Sequence, residues 1–445
     1  MTDTTPFLHG LSPLGQRSLT VSRDAGEVSA NGGLLVLREA ARRLGLGAAI
    51  AAPLPDPRSP LLIHNTYESM VTARMMAIAA GYEDVDDLDH LRHDPALLLA
   101  CERTPGHDWA IPSQPTVCRL ENIADTKSLY RIAMNFIDLF CRGYARPPDS
   151  IVLDIDDTAD LVHGGQQLAL FNTHAGGHFF QTMHIFEANS GKPLLSLLRP
   201  GKRPTGKEIA RVLWHVIHRI RRHWPKVRIL VRGDSHYCAP EVLDLLRRLD
   251  CWFMLGLATN SVLEEIAKPW RSQCENQRKA SVPKVRRFQQ FHYSAESWSR
   301  AEKVVARIEA TALGSDVRFV VTNLPGRAKT LYEKVYCARG RMENLIKDMK
   351  LYTRSDKTAC SRWQANQLRL FLHMGAYWLL HSLRLAAPKK SRWRGATFAT
   401  LRTMFVKIAL RVEVLKRTIK VAFPNAFPHA DALGLISAAL TARGS

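Results

Sequence analysis

The chain has 445 residues, of which 46% are hydrophobic, enough to fill the cores of two or three domains. We expect no membrane span, because Arg369, His373, His381 and Arg384 interrupt the best apolar run, and no secretion signal, because the N-terminus lacks a basic start followed by an apolar stretch. Eight cysteines without paired spacing argue against a disulfide framework and a zinc knuckle and favour a reduced, cytoplasmic protein.

The charge is distributed unevenly along the chain. The formal net charge is +21, but residues 1–150 carry 14 Lys and Arg against 18 Asp and Glu, whereas residues 151–445 carry 48 against 23. The excess is strongest between Lys329 and Lys420, with 21 basic against 5 acidic residues. Such an excess on a folded segment predicts a polyanionic partner, and nucleic acid is the commonest one. The alternative is a basic surface that is merely solvated.

Residues 1–149 are predicted to form a helical N-terminal DNA-binding region. Apolar residues recur at helical spacing in residues 33–46 and again in residues 67–82, after the proline-rich break APLPDPRSP. In the later stretch IPSQPTVCRLEN, Ser113 can cap a helix that carries Arg119. This is either the recognition helix of a helix-turn-helix unit or an ordinary capped surface helix.

From residue 150 the hydrophobic pattern becomes one of strands and helices. SIVLDIDDT is predicted to be a strand, and HFFQTMHIFEANSGKPLLSLLRPGK two more around an Asn-Ser-Gly turn. The amphipathic helix TGKEIARVLWHVIHRIRRHWP leads into the strand VRILVRGD, the helix PEVLDLLRRLD and the strand CWFMLGLA. Residues 150–257 therefore form the first part of a core, and the alternating runs in residues 258–326 predict a mainly β insertion. Residues 327–385 would complete the core, followed by a basic helical C-terminal region, residues 386–445.

Acidic residues stand at the ends of two of these predicted strands. In LDIDDT, strand alternation places Asp154 and Asp156 on one face and Asp157 on the other. Asp234 follows the strand ILVRG, and the carboxyl end of a strand is a common position for active-site acids. A single acid in such a place often only caps a turn, but a pair on one strand face is harder to explain in that way.

Four residues of a later predicted helix fall at spacings of three, four and seven: Tyr336, Arg339, Glu343 and Lys350. On a helical wheel they share an arc of roughly 60°, and Lys347 broadens its basic side. An arginine fork and a lysine point charge suit phosphate oxygens, and a tyrosine can stack on a base or bond to the DNA backbone. The alternative is a solvated helix face with i,i+4 ion pairs, such as Glu343 with Lys347.

The spacing of these four residues matches a Y-(2)-R-(3)-E-(6)-K signature, and the chain thereby resembles DDE transposases of the insertion-sequence-4-like superfamily. The SQPTxxRxEN stretch around Arg119 is similar to N-terminal segments of the insertion-sequence-1380-like group, which favours DNA binding there. This resemblance covers roughly residues 110–420. With the order of elements, it implies an α+β multidomain protein whose RNase H-like catalytic core, a mixed sheet with flanking helices, is interrupted by the β insertion and flanked by helical terminal regions.

The resemblance also implies the catalytic residues. The family carries its first catalytic aspartate in an Asp-x-Thr context, which matches Asp156-Asp157-Thr158, so the expected catalytic and metal-binding residues are Asp156, Asp234 and Glu343, with Asp154 as an alternative to Asp156. Two Mg²⁺ ions, which Mn²⁺ can replace, would activate the attacking water or 3′-hydroxyl and stabilise the leaving oxygen. The expected DNA contacts come from Tyr336, Arg339, Lys347, Lys350 and Arg119.

The activity implied is that of a cut-and-paste transposase. The enzyme would bind the terminal inverted repeats of its element in double-stranded DNA, pair the two ends as a homodimer, and cut. It would then join the freed 3′-hydroxyls to target DNA without a covalent enzyme intermediate. A cytoplasmic, nucleoid-associated protein of a bacterium is expected.

Other hypotheses compete with this one. A D-x-D-x-T match beginning at Asp154 is also typical of haloacid-dehalogenase-like phosphatases, but Cys238 stands where their later metal motif has an acid. Four histidines match no standard zinc spacing: His163, His174, His178 and His184. A non-catalytic DNA-binding relic of a transposase, and an RNase H-like nuclease that cuts without joining, both remain open.

Overall fold

The computed structural model describes residues 11–173, 176–278 and 282–442, and His174 lies outside them. The chain divides into two compact units, one made of Met1–Ile123 with Gly375–Ser445 and the other of Ala124–Met374. Within the described ranges no helix is both long enough and apolar enough to cross a membrane.

The elements, numbered along the chain, have the following bounds. The strands are β1 (Glu27–Ser29), β2 (Ser150–Leu161), β3 (Leu170–Asn172), β4 (Gly177–Glu187), β5 (Lys192–Leu197), β6 (Arg228–Gly233), β7 (Trp252–Leu257), β8 (Lys284–Tyr293), β9 (Glu302–Thr311), β10 (Gly314–Thr322), β11 (Leu410–Val414) and β12 (Ile419–Ala422). The helices are α1 (Leu34–Leu44), α2 (Leu46–Ala51), α3 (Tyr67–Ala80), α4 (Asp87–Leu91), α5 (Pro95–Ala100), α6 (Gln114–Ile123), α7 (Thr126–Arg142), α8 (Gly206–His223), α9 (Pro240–Arg248), α10 (Ser261–Gln277), α11 (Ala328–Thr330), α12 (Arg341–Lys347), α13 (Trp363–Ala386), α14 (Phe398–Leu401) and α15 (Ala430–Thr441).

One mixed sheet organises the unit of Ala124–Met374. Its described strands run in the order β3-β4-β2-β6-β7-β10-β9-β8, with β5 also paired to β4. Strands β2, β6 and β7 are parallel to one another, whereas β4 is antiparallel to β2, and β10, β9 and β8 continue the sheet from β7 in antiparallel fashion. The prediction of a large mixed sheet with helices is thereby confirmed.

The sequence explains the central pair of strands. In β2, Ile151, Leu153 and Ile155 alternate and are fully buried. Because β6 is parallel to its neighbour β2, the chain has to cross back over the sheet between them, and α8 forms part of that crossover. That helix begins with a capping box, in which the Thr205 hydroxyl accepts from the backbone N–H of Glu208 and the Glu208 carboxylate accepts from that of Thr205.

A buried apolar cluster on this sheet fixes the start of the segment that carries the predicted Tyr-Arg-Glu-Lys stripe. Leu331 and Tyr332 pack with Leu230 of β6, Met254 of β7 and Val320 of β10. Each fully buried side chain of this kind contributes about 1.5–3 kcal/mol relative to an exposed one. The chain after β10 is therefore held against the sheet a few residues before Tyr336.

The stripe does not lie on one regular helix, although the spacing predicts one. Residues Leu331–Tyr336 and Asp348–Tyr352 form π-helical turns, Cys337–Gly340 form a 3₁₀ turn, and only Arg341–Lys347 are α-helical. A side chain inserted into a helical hydrogen-bond ladder distorts it. Here the Arg232 guanidinium donates to the Val335 carbonyl at 2.6 Å, within the first π-helical turn.

Residues 258–326 contain more than the short strands that the sequence predicts. They include the 17-residue helix α10 and the ten-residue strand β8 as well as β9 and β10. Their strands join the main sheet directly, because β10 pairs with β7 from Phe319↔Leu257 to Thr322↔Met254.

The other unit is largely helical in its N-terminal part, and the helices expected in residues 33–46 and 67–82 are α1 and α3. The C-terminal region differs from the expected all-helical one. There β11 and β12 form a hairpin that joins β1 in a three-stranded sheet. The reason is a period of two, since Leu410 and Val412 are buried while Arg411 and Glu413 are exposed.

Truncation of a central strand residue tests this core. Phe253 in β7 is fully buried, so Phe253→Ala removes a large side chain from a packed interior and is expected to lower the free energy of unfolding by about 3–5 kcal/mol. Val262→Ala, at a side chain that is 55% exposed, should change it by less than about 0.5 kcal/mol. Urea titration of both variants measures the difference, and equal losses would contradict the assigned core.

Candidate active site

The parallel pairing of β2 with β6 decides where two of the predicted acids lie. The last residues paired along these strands are Ile155 and Gly233, so Asp156 and Asp234 follow side by side where β6 ends. Asp234 is half-buried, and its Oδ1 accepts from the backbone N–H of His236 at 2.9 Å. The arrangement brings two carboxylates from separate strands into one neighbourhood.

Asp156 is a desolvated carboxylate that an arginine neutralises. Its side chain is 15% exposed, and the Arg339 Nη1 lies 2.8 Å from its Oδ2. Burial raises the pKa of Asp156 to about 6; Arg339 opposes that rise and the negative charge of Asp234 adds to it. Asp156 therefore favours an adjacent cation, and the guanidinium occupies that place here.

Asp154, the alternative first ligand, is engaged elsewhere. It is buried, and both of its carboxylate oxygens accept from the buried Arg232, at 2.7 and 2.8 Å. The same guanidinium donates to the Val335 carbonyl at 2.6 Å. Burial raises the pKa of Asp154, and Arg232 opposes that effect. This bidentate pair links β2 and β6 to the turn just before Tyr336.

Lys350 lies against the far end of the same face of β2. Its ammonium is 2.8 Å from the Thr158 hydroxyl, 2.9 Å from the Ala159 carbonyl and 2.8 Å from the Asp160 carboxylate. Asp160 is buried, which raises its pKa, and Lys350 opposes that effect. The DNA contact expected of Lys350 stays a prediction, and in the structure its ammonium ties the chain to β2.

The opposite face of β2 adds a third aspartate beside Asp234. Burial raises the pKa of Asp157, and its Oδ2 is buried without a hydrogen bond to any described residue. Gln181, the charge of His236 and the buried Tyr237 hydroxyl oppose that rise, and the charge of Asp234 adds to it. The pKa of Tyr237 is raised by burial and by the negative charges of Asp157, Asp156 and Asp234.

A glycine lets the two halves of the site approach each other. A Cβ on Gly256 of β7 would stand 2.7 Å from the backbone nitrogen of Ser235 and 2.8 Å from the Tyr336 hydroxyl, closer than carbon atoms tolerate. The Arg339 guanidinium lies 5.9 Å from the centre of the Tyr336 ring. Tyr336 is therefore held between the Asp234 turn and Arg339, and burial raises its pKa.

The remaining predicted residues lie outside this network. Glu343 and Lys347 are exposed on α12, and neither forms an ion pair within the described ranges. Among all the residues that the structure describes, no three His, Cys, Asp or Glu side chains are grouped so that they could hold a metal ion. Arg119 is exposed on α6, where it donates to the Thr116 hydroxyl at 3.1 Å. The structure thus brings Asp156, Asp234, Tyr336 and Arg339 together and leaves Glu343 exposed.

Among the described histidines that the zinc alternative considered, His184 lies beside Asp156 in the sheet. It is paired with Asp156 across β2 and β4, is buried, and its Nδ1 is 2.9 Å from the Ser196 hydroxyl. Burial lowers the pKa of His184 to about 3, and the charge of Lys350 adds to that effect, so the ring is neutral. His163 and His178 are exposed.

Several contributors escaped the sequence analysis: Arg232, Thr158, Asp160, Tyr237 and Gly256. A usable signal exists for Arg232, because a charged residue inside the apolar strand ILVRGD must find a buried partner. Asp160 carried the same alternation as Asp154 and Asp156 along β2. Nothing local marked Gly256, whose importance depends on two segments that are distant in sequence.

Comparison with known proteins places this geometry in a family. The sequence profile described as transposase DDE domain group 1 matches residues 11–444. The chain belongs to this family. No curated protein matches the chain. Among solved structures it is similar to a cryo-EM structure of a piggyBac transposase synaptic complex with hairpin DNA, at 10% identity and a TM-score of 0.43, over 84% of this chain and 79% of that one.

Family membership confirms the prediction of a DDE transposase and, with it, of DNA as the partner class. DDE domains in general use divalent metal ions.

The buried Asp154–Arg232 pair gives a stability prediction. Arg232→Met leaves Asp154 buried without its partner and is expected to cost about 3–5 kcal/mol of unfolding free energy. Adding Asp154→Leu removes the orphaned charge and should recover most of that loss. Urea titrations of the single and double variants measure both values. A double variant no more stable than Arg232→Met would contradict an energetic link between the two residues.

The pKa of Asp156 gives a pH prediction. Because it rises from 3.8 in the unfolded chain to about 6 in the folded one, the folded state binds the proton more tightly. Stability therefore falls as pH rises from about 4 to about 6. Relative to Asp156→Asn, the wild-type protein should lose roughly 2.4 kcal/mol of unfolding free energy between pH 4 and pH 7, and little above.

Urea titrations across that pH range test the effect, with Glu296→Gln at an exposed loop carboxylate as the matched control. A wild-type minus Asp156→Asn difference that is flat with pH, like that of the control, would contradict it.

Proposed function

We propose that this protein is a DDE transposase of the insertion-sequence-4-like superfamily, in the insertion-sequence-1380-like group. It binds the terminal inverted repeats of its element and catalyses metal-dependent DNA cleavage and strand transfer. The observation that carries this proposal is the register of β2 and β6, which sets Asp156 beside Asp234 with Arg339 on Asp156. Two carboxylates from neighbouring parallel strands and an adjacent arginine suit the handling of a phosphodiester.

We further propose that the catalytic core is RNase H-like. The order β5-β4-β2-β6-β7, with β4 antiparallel to β2 and with β6 and β7 parallel to it, supports this assignment. In this view residues 258–326, which carry β8 to β10, are the insertion placed before the segment that bears Glu343.

The proposed cofactor is Mg²⁺, with Mn²⁺ as a substitute. Carboxylate oxygens are the donors that such hard cations prefer, and the raised pKa of Asp156, caused by burial with the charge of Asp234 adding to it, supports a site that gains from a bound cation. Asp156 and Asp234 would hold it. Glu343 would be the third metal ligand only if α12 moved its exposed side chain toward Asp156 and Asp234. When bound, the metal supplies a polarised water or 3′-hydroxyl and stabilises the leaving oxygen.

The bidentate hold of Arg232 on Asp154 supports Asp156 over Asp154 as the first ligand. Each remaining side chain then has a task that its contacts suit. Arg339 neutralises Asp156 in the free protein and presents a fork of donors that matches a phosphate, so it can pass from carboxylate to DNA. Tyr336 offers its ring and hydroxyl beside Asp234. Lys350 holds the end of the segment on β2.

The proposed partners are double-stranded DNA, as terminal repeat and as target, and a second copy of the chain that holds the other element end. The net charge of +21 supports the first. We propose a cytoplasmic, nucleoid-associated location in a bacterium, supported by eight cysteines that form no disulfide among the described residues. Arg119 and Lys347 are proposed as exposed phosphate contacts.

The deciding experiment measures cleavage and joining of labelled DNA that carries the repeats flanking the gene, with Mg²⁺ or Mn²⁺. Wild type is expected to cut at the repeat end and to form joined product, and Asp234→Asn and Glu343→Gln should each lose roughly 10²–10³-fold in rate. Glu265→Gln, at a carboxylate whose side chain is 74% exposed on α10, is the matched control and should retain activity.

The alternatives give different outcomes in the same assay. Binding without cutting by wild type would support the non-catalytic relic, a hypothesis that the exposure of Glu343 favours. Cutting without joined product would support a nuclease. Cutting that is lost in Asp234→Asn but retained in Glu343→Gln would remove Glu343 from the catalytic set.

A further inference from the structure

A basic groove lies on the outer strand of the main sheet, away from the acidic residues. Its cavity is about 850 Å³ and is formed between β8 and the start of the helical segment that leads to Tyr336. The charged side chains that line it are Lys284, Arg286, Arg287, Arg327, Lys329 and Glu333. We call it the β8 groove.

Part of this positive charge is already neutralised within the protein. Lys284 and Arg286 lie 3.0 and 2.6 Å from the Glu309 carboxylate, and Arg286 also lies 3.5 Å from Glu333. Arg327 and Lys329 are exposed, and neither forms an ion pair with any residue that the structure describes.

Arg287 is half-buried and likewise forms no ion pair within the described ranges. Arg327 and Lys329 thus share one concavity with no carboxylate of their own, whereas alternation along β8 turns the Arg287 side chain to the other face of the strand, toward Cys274 of α10. A set of this kind is completed by an anion from outside.

We infer that the β8 groove binds the phosphodiester backbone of duplex DNA a few base pairs from the cut site. This inference rests on the proposed function. The groove belongs to the same continuous stretch of chain as the candidate site. Ten residues of helical chain separate Lys329 from Arg339, a distance of roughly 15 Å at the usual rise. Along a DNA strand, with about 3.4 Å of axis per phosphate, this corresponds to about four base pairs.

The chemistry of the groove favours duplex backbone over other nucleic acids. Single strands are held by exposed aromatic platforms, but Phe288, the aromatic side chain of the groove, packs on Tyr332 with ring centres 5.6 Å apart. Arginine and lysine without such a platform contact phosphates and carry little sequence information. The groove would therefore position the DNA, and base recognition would belong elsewhere.

The test uses the full-length protein and a fluorescent 30-base-pair duplex that carries the flanking repeat. The groove variant carries Arg327→Gln and Lys329→Gln. The control variant carries Arg222→Gln and Lys226→Gln, which remove the same charge from two exposed basic residues outside the groove. Anisotropy titrations over a range of salt concentrations give the affinity and the slope of log K against log salt.

Loss of two phosphate contacts should make that slope shallower by about 2 in the groove variant and weaken binding by roughly tenfold at low salt. The control pair should remain within about twofold of wild type. A groove variant with the slope and affinity of the control pair would overturn the inference and leave the groove for an acidic protein partner. Because the readout is binding, it is independent of cleavage, so failure to cut would reject the proposed function alone.

A second comparison locates the contact along the DNA. Duplexes are shortened to two base pairs beyond the cut site, on one side and then on the other. On one of them the DNA no longer reaches the groove, and there wild type and the groove variant should bind equally. A difference between the two proteins that persists on both short duplexes would place the contact at the cut site and contradict the inference.

Discussion

The structure of the candidate site depends on one constraint, which is the alternation of acidic side chains along β2. Asp154, Asp156 and Asp160 point to the same face of a strand in the middle of a sheet, where their carboxylates are largely shielded from water. An isolated buried carboxylate costs several kcal/mol, so each must be protonated or paired with a cation. Because three such groups lie in a row, the chain that packs on this face has to present a row of cations.

That row determines how the segment from Leu331 to Tyr352 folds. Arg339 meets Asp156, Lys350 meets Asp160, and Arg232 reaches up from β6 to join Asp154 to the Val335 carbonyl. The segment that makes these contacts is not a regular α-helix, since π-helical turns stand at both of its ends. A wider turn shifts the residues that follow it around the axis.

The sequence predicts the part of the site that follows from short-range rules. Alternation and strand ends located Asp156 and Asp234, because a period of two and a parallel crossover leave little freedom in where such residues lie. The wheel that grouped Tyr336, Arg339, Glu343 and Lys350 assumed a uniform 100° per residue. That assumption fails in the 3₁₀ turn Cys337–Gly340 and in the π-helical turn Asp348–Tyr352, and in the structure Glu343 is exposed while Arg339 and Lys350 contact β2.

Gly256 illustrates what short-range rules cannot supply, since its lack of a side chain matters only once Ser235 and Tyr336 converge on it. The extent of the main sheet is a similar case. The alternating pattern of residues 258–326 indicated strands, but it could not tell whether they stand apart or extend an existing sheet. The pairing of β10 with β7 decides that question, and it depends on contacts between distant parts of the chain.

The same pairing of charges links metal binding to DNA binding in the proposed function. The Asp156 carboxylate has one cation beside it, and a bound metal and Arg339 would compete for its oxygens. A phosphate bound beside the metal would relieve this competition, because it would accept the guanidinium that Asp156 releases. Arg339 would then contact the DNA, and Asp156 would be available to hold the metal. The protein without DNA would hold metal weakly for the same reason, because the metal would have to displace the guanidinium from Asp156 with no phosphate to receive it.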